Sequence, residues 1–106
     1  MNQGDIVLVM FPYTDLENYK IRPALVISGN EFNKHFEHYF CPITTKPPEQ
    51  GFVISNELAE GTLNNQSYVK TNIIATITEE RIIRKIGSIT KQKTQEIIQQ
   101  LKKNFN

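Results

Sequence analysis

The sequence has no tryptophan, one cysteine and only five glycines and five prolines in 106 residues. Each scarcity excludes something. A lone cysteine forms no disulfide within the chain, so the fold must hold by its core, and we expect a reduced thiol in a cytoplasmic protein. The low glycine and proline content, with 39% hydrophobic residues, excludes a disordered or low-complexity chain. No long apolar run exists: the longest opens at Ile6 and stops at Pro12, far short of the roughly 20 residues that cross a bilayer. The start, Met-Asn-Gln-Gly-Asp, has neither the basic region nor the apolar core of a secretion signal. What is left is one domain over residues 1–106, able to bury roughly two-thirds of the surface its unfolded chain exposes.

The net charge of +1 conceals an asymmetry. Residues 1–80 hold five Lys/Arg against ten Asp/Glu, whereas residues 81–106 hold seven Lys/Arg against Glu96 alone. A basic terminal segment is either an electrostatic footprint for a nucleic acid or a solvated helix face whose cations offset the helix dipole. Charge alone favours the second.

Apolar patterning divides the chain into short extended segments and one helix. Residues 5–11 form an apolar, β-branched run closed by Pro12, which predicts a strand buried on both faces. Residues 13–20 read as a polar, aromatic surface loop, and residues 23–28 as a second strand that stops at Gly29-Asn30, antiparallel to the first. A helical turn over residues 32–36, a third strand over 38–43 and a break at Lys46-Pro47-Pro48 follow. Residues 52–54, 67–70 and 73–77 are further short strands. Residues 81–89 mix apolar and basic positions in one strand or two, with Gly87 permitting a bulge and the cations facing outwards. From Thr90, a plausible N-cap, the spacing of Thr94, Ile97, Ile98, Leu101 and Phe105 predicts a helix over 91–104 whose apolar stripe packs on the sheet. The expected class is α+β, mainly β: a curved antiparallel sheet or barrel covered by a C-terminal helix.

Three segments carry a resemblance: Gly4-Asp5-Ile6-Val7 opening the first strand, Ile21-Arg22-Pro23-Ala24-Leu25-Val26-Ile27-Ser28 in the second, and Pro42-Ile43-Thr44-Thr45 ending the third. In this order and spacing, with late strands and one amphipathic helix, the chain resembles the MazF/PemK (Kid) toxin family of type II toxin-antitoxin systems. The resemblance covers nearly the whole chain, and the Arg-Pro strand is its most specific element. It implies an SH3-like β-barrel, a homodimer, and a metal-independent, sequence-selective endoribonuclease that cuts single-stranded RNA without a cofactor. Attack by the 2′-OH would leave a 2′,3′-cyclic phosphate and a 5′-hydroxyl. The implied protein partner is an antitoxin with a partly disordered, often acidic segment that folds on binding. DNA binding by the toxin-antitoxin complex is a further implied interaction.

The resemblance maps catalysis onto Arg22 and Thr44. An arginine offers a planar fork of donors that matches two phosphate oxygens, which suits it to stabilise the charge of the phosphorane. A threonine hydroxyl is a weak base, so Thr44 orients the phosphate or the 2′-OH by hydrogen bonding. Read without the family, Arg22 is a strand-edge cation and Thr44 a strand-end hydroxyl that satisfies a turn. Beside them, Thr45 and Lys46 are assigned to RNA contact. Tyr13, Tyr19 and Lys20 in the preceding loop suit base stacking and phosphate contact, with packing in the core or a dimer as the alternative for the tyrosines.

One departure matters. Some family members carry an Arg-x-Asp pair in acid/base work on a later strand, where this sequence has Lys70-Thr71-Asn72. Lys70 keeps the charge without the fork, and Asn72 accepts no proton as a carboxylate does. We therefore assign Lys70 to phosphate and Asn72 to base reading, against the alternative of an exposed strand edge. His35 and His38 lack a third ligand for a metal and are expected at the surface or a strand edge. Cys41, inside an apolar run, is expected to be a small buried hydrophobe. Two other functions fit the same fold: a non-catalytic toxin such as a CcdB-like poison of DNA gyrase, acting through the end of the C-terminal helix, and a barrel that binds nucleic acid without cutting it.

Overall fold

The computed structural model describes residues 1–12 and 19–106. Eight strands are present among them: β1 (Asp5–Pro12), β2 (Tyr19–Val26), β3 (Glu37–Thr44), β4 (Phe52–Val53), β5 (Leu58–Gly61), β6 (Tyr68–Val69), β7 (Ala75–Thr78) and β8 (Ile82–Ile89). Short 3₁₀ turns span Phe32–Lys34 and Glu79–Arg81, and the helix α1 runs from Lys91 to Lys103. The strands make one curled antiparallel sheet in the order β4-β6-β3-β2-β1-β8-β5, with β7 pairing β3. This is a half-barrel with a C-terminal helix. Among the described residues no helix is long and apolar enough to cross a membrane.

The sheet is buried on both sides, and strand alternation sorts its residues into two cores. Ile6, Leu25, Ile27, Cys41 and Ile43 meet Ile54, Val69, Ile97 and Leu101 on the side covered by α1. Val7, Val9, Phe11, Ala24, Val26 and Phe40 meet Ile77 on the other. The expectation of a first strand buried on both faces is met only at its start: Ile6 feeds one core and Val7, Val9 and Phe11 the other, but on the Ile6 face Leu8 is half-buried and Met10 exposed.

The Gly4-Asp5 pair at the head of β1 is structural. Gly4 sits at φ +96°, and a Cβ there would stand 2.7 Å from Thr94 Oγ1. The close approach lets the helix start lie against the strand start. Asp5 is buried; its carboxylate accepts the Asn2 N–H (2.9 Å) and pairs with Lys85 Nζ (3.4 Å). Lys85 reaches Glu60 as well (3.3 Å), and the adjacent Asp5 carboxylate raises its pKa. Thr90 caps α1 as expected, its hydroxyl accepting the Lys93 N–H (3.2 Å).

Four expectations change. Strand β2 begins at Tyr19, so Tyr19 and Lys20 belong to its ladder with β1 and not to a loop. Strand β5 has no counterpart in the sequence reading, because Leu-Ala-Glu-Gly lies at a largely exposed edge with no apolar alternation. It docks where β8 carries Gly87: a Cβ there would meet the Glu60 carbonyl oxygen at 2.6 Å. Gly87 also borders a register shift against β1, the bulge its position suggested. The helix stops at Lys103, which leaves Phe105 off the apolar stripe and 76% exposed. The fourth change, at His38, concerns the site region.

Candidate functional site

The strands place Arg22 and Thr44 on one face. On β2, alternation puts Arg22 with Ala24 and Val26; on β3 it puts Thr44 with Pro42 and Phe40. The ladder pairs Val26 with Phe40 and Ala24 with Pro42. Arg22 lies two residues beyond Ala24, and Thr44 two beyond Pro42, the last rung of that ladder. Thr44 in turn pairs with Tyr68 of β6, Tyr68 with Val53 of β4, and Arg22 with Val9 of β1. Two paired groups result on this face, Val9 with Arg22 and Thr44 with Tyr68 and Val53, at the end of the second core. Arg22 and Thr44 are both half-buried.

Lys70 joins the second group. Its N–H donates to the Pro42 carbonyl (2.9 Å), continuing the β3–β6 register. The side chain therefore alternates to the face of Tyr68 and Thr44. A cation fork, a hydroxyl, a phenol and an ammonium thus share one end of one sheet face, a donor set suited to phosphate oxygens. Tyr68 was not singled out from sequence, since a tyrosine in a two-residue strand carries no motif. Its pairing with Thr44 is what exposes it.

Thr44 Oγ1 accepts the Lys46 N–H at 3.2 Å. This is the turn-satisfying role that the sequence allowed, and it is compatible with chemistry: with a lone pair engaged behind it, the hydroxyl still has its proton to donate. Thr45 and Lys46 follow it, both exposed. Lys20 is exposed on β2 opposite Phe11. Tyr13 lies outside the described residues. Of Tyr19 the backbone is described, paired with Pro12 at the start of β2.

Asn72 is placed apart from both groups. It is exposed and lines an open groove of about 360 Å³ with Gln50, Thr71, Ile74, Asn104 and Phe105, beside the C-terminal end of α1. The basic late segment is dispersed as well. Lys85 is engaged by Asp5 and Glu60, and Lys93 by Glu96 (2.7 Å). Of the remainder, Arg84 lies on β8, Lys91 at the start of α1 and Lys102-Lys103 in its last turn, where cations offset the helix dipole.

His35 is exposed as expected, but His38 is fully buried, which corrects its assignment to the surface or a strand edge. Alternation on β3 turns it to the side of Phe40, and its ring meets Phe40 edge-on at 6.2 Å. His38 Nδ1 donates to Asn33 Oδ1 (2.8 Å), which also bonds Ser28 Oγ. Asn33 Nδ2 returns to the Ser28 carbonyl (2.9 Å), and Ser28 Oγ accepts the Tyr39 N–H (3.1 Å). Nε2 is buried without a partner among the described residues. Burial lowers the His38 pKa, and the carboxylate of Glu79 opposes that shift without reversing it. The network ties the 3₁₀ turn to β2 and β3, a scaffold role. Cys41 is buried, and desolvation pushes its thiol up to about 12, so it stays protonated and inert.

Comparison with known proteins agrees with this architecture. No curated protein sequence matches the chain. Solved structures do: the toxin MazF-mt6 of Mycobacterium tuberculosis superposes with a TM-score of 0.71 at 20% identity, over 94% of this chain and 93% of that one. MazF of Deinococcus radiodurans gives 0.74 at 19% identity, over 99% and 96%. An endoribonuclease in complex with its cognate antitoxin, from a mycobacterial species, gives 0.66 at 18% identity, over 93% and 87%. At these identities the likeness establishes the fold. The family is established by sequence, since the model of the PemK-like, MazF-like toxins of type II toxin-antitoxin systems matches residues 2–105, and the chain therefore belongs to that family.

Proposed function

We propose that this chain is the toxin of its pair and acts as a metal-independent, sequence-selective endoribonuclease on single-stranded RNA, mRNA included. The observation that supports the reading is that Arg22 and Thr44 lie on one sheet face just beyond the last rung between β2 and β3, Ala24 with Pro42, with Lys70 on the same face. The 2′-oxygen attacks phosphorus and gives up its proton to water, the bond from phosphorus to the 5′-oxygen breaks, and that oxygen takes up a proton from water. The products are a 2′,3′-cyclic phosphate and a 5′-hydroxyl. Arg22 holds the two non-bridging oxygens as charge grows on them, a contribution of roughly 10²- to 10³-fold by analogy with oxyanion holes. Thr44 donates to phosphate and sets its orientation, while Lys70 adds a second positive charge. Asn72 has no carboxylate to take the proton, so neither it nor Lys70 repeats an Arg-x-Asp acid/base pair.

The chain works as a homodimer inside the cytoplasm, and its protein partner is an antitoxin whose flexible segment competes with RNA. The mycobacterial neighbour, an endoribonuclease held by its cognate antitoxin, supports that partner. Incubation with a long mixed-sequence RNA in EDTA, beside Arg22→Ala and Thr44→Ala, tests the reading by end mapping. Discrete cuts ending in cyclic phosphate, lost in both variants, are expected. Intact RNA, or cuts that survive both substitutions, would refute it. A non-catalytic toxin acting through protein contact draws on the exposed Phe105 beyond α1, and gyrase inhibition with intact RNA would favour it.

A further inference from the structure

In the nuclease reading no side chain delivers a proton to the departing 5′-oxygen. Arg22 keeps its protons at any cellular pH, the Thr44 hydroxyl is a poor acid, and Asn72 lies apart with an amide that does not ionise. The residue in direct register with Thr44 is Tyr68. The two are paired across the β3–β6 ladder, so their side chains leave the same face as neighbours, with Cβ atoms about 4.5–5.5 Å apart. The residues of β6 divide between faces: Val69 is fully buried in the first core, whereas Tyr68 is half-buried beside Thr44. Val53 of the edge strand β4, its neighbour on the other side, is exposed, so this end of the face is open to solvent. The Tyr68 hydroxyl oxygen accepts from Gln66 Nε2 (3.1 Å). That bond occupies a lone pair and leaves the phenol its own proton to donate. A phenol holds its proton at neutral pH, which makes it an acid here and not a base.

We propose that Tyr68 is the general acid of the cleavage and gives its phenolic proton to the 5′-oxygen; the inference rests on the nuclease reading above. As the 2′-oxygen closes on phosphorus, the electron pair of the breaking phosphorus–oxygen bond stays on the 5′-oxygen, which takes the phenolic proton. The phenolate left on Tyr68 recovers a proton from water, so the proton that water supplies reaches the leaving group through the ring. Thr44, in the same rung, holds the phosphate beside it. Lys70 is the rival donor, since an ammonium also carries protons. It lies two residues on from Tyr68, level with Pro42 instead of Thr44, and losing a proton would remove the charge it offers the phosphate.

A short RNA that holds a cut site mapped with the wild-type protein tests this in two forms, one with the ordinary 5′-oxygen at the cleaved bond and one with sulfur in its place. A thiol is far more acidic than an alcohol, so the sulfur leaves without being protonated. Single-turnover rates of wild type, Tyr68→Phe and Lys70→Ala are measured on both. Tyr68→Phe keeps the ring and loses only the hydroxyl. It is expected to cut the oxygen substrate roughly 10²- to 10⁴-fold more slowly, the usual contribution of general acid–base catalysis, at unchanged RNA affinity and thermal stability. On the sulfur substrate it should match wild type, while Lys70→Ala should be slow on both. Tyr68→Phe cutting the oxygen substrate at the wild-type rate overturns the acid and leaves the nuclease reading standing. An equal loss on both substrates also overturns it and makes Tyr68 a binding group. Rescue by sulfur in Lys70→Ala, and not in Tyr68→Phe, overturns it in favour of the lysine. RNA left intact by wild type refutes the nuclease reading, and the acid with it.

Discussion

Replacing Gly4 by alanine should destabilise the fold by an amount that the geometry gives in two parts. The backbone at φ +96° disfavours a side chain by about 1–2 kcal/mol. A Cβ 2.7 Å from Thr94 Oγ1 is an overpacked contact worth about 1–3 kcal/mol more. Thr94 has little room to yield, since it is buried and its hydroxyl donates to the Thr90 carbonyl at 2.9 Å in the first turn of α1. The sum, about 2–5 kcal/mol, is a large share of the roughly 5–15 kcal/mol by which domains are stable, and at about 4–8 °C per kcal/mol the midpoint should fall by about 10 °C or more. Urea unfolding of wild type, Gly4→Ala, Thr94→Ala and the double variant separates the two parts. Thr94→Ala removes the clashing oxygen and leaves the backbone strain, so the cycle should show about 1–3 kcal/mol of favourable coupling. A Gly4→Ala protein within about 0.5 kcal/mol of wild type, or a cycle without coupling, would refute the claim that Gly4 exists to let α1 approach β1.

Three further outcomes follow from the cores and the buried histidine. The His38 pKa is lowered by burial, so between its unfolded value near 6.5 and the folded one the unfolded chain binds the extra proton; stability should fall as the pH drops below about 6.5, and His38→Gln, which keeps a donor for Asn33, should lose that part of the slope in urea titrations at a series of pH values. Identical slopes would refute it. Cys41, with its thiol pushed up to about 12 in the core, should resist alkylation at pH 8 and react on adding denaturant; rapid labelling of the native protein would show that the core opens there. Ile97→Ala, which empties a site where the helix meets the sheet, should cost about 2–5 kcal/mol by thermal unfolding.

The long elements were legible because each carried its own period. The run in β1 and the stripe of α1 announce themselves in hydrophobic spacing, and Thr90 announces the helix start. What the sequence hid depends on partners. The edge strand β5 forms only because Gly87 has no Cβ to hold Glu60 away, a pairing 27 residues distant in the chain. His38 reads as a surface residue because nothing local shows that Asn33 and Ser28 fold back to meet its Nδ1. The start of β2 was masked by Lys20 and Ile21, both exposed, because at that end the strand's described pairing is with β1, and the ladder to β3 begins only at Ala24.

The same distinction separates the site from the scaffold. Arg22 was legible as a motif, but its chemistry depends on where β3 stops. Pro42 ends the ladder with β2, and two residues later Thr44 has a turn behind it and β6 beside it. A sheet face that is apolar along its middle thus becomes polar where its strands cease to pair, and no local pattern encodes that junction. Lys70 and Thr71 divide there: alternation turns Lys70 to the Arg22 face, while Thr71, two residues on from the core residue Val69, lines the groove by the helix end. The two residues that depart from the family pair, Lys70 and Asn72, therefore serve two surfaces. If Lys70 holds phosphate and Asn72 reads a base, Lys70→Ala should weaken RNA binding for every sequence and flatten its salt dependence, whereas Asn72→Ala should change which sequences bind. Equal losses across all sequences in both variants would return the two residues to a common role.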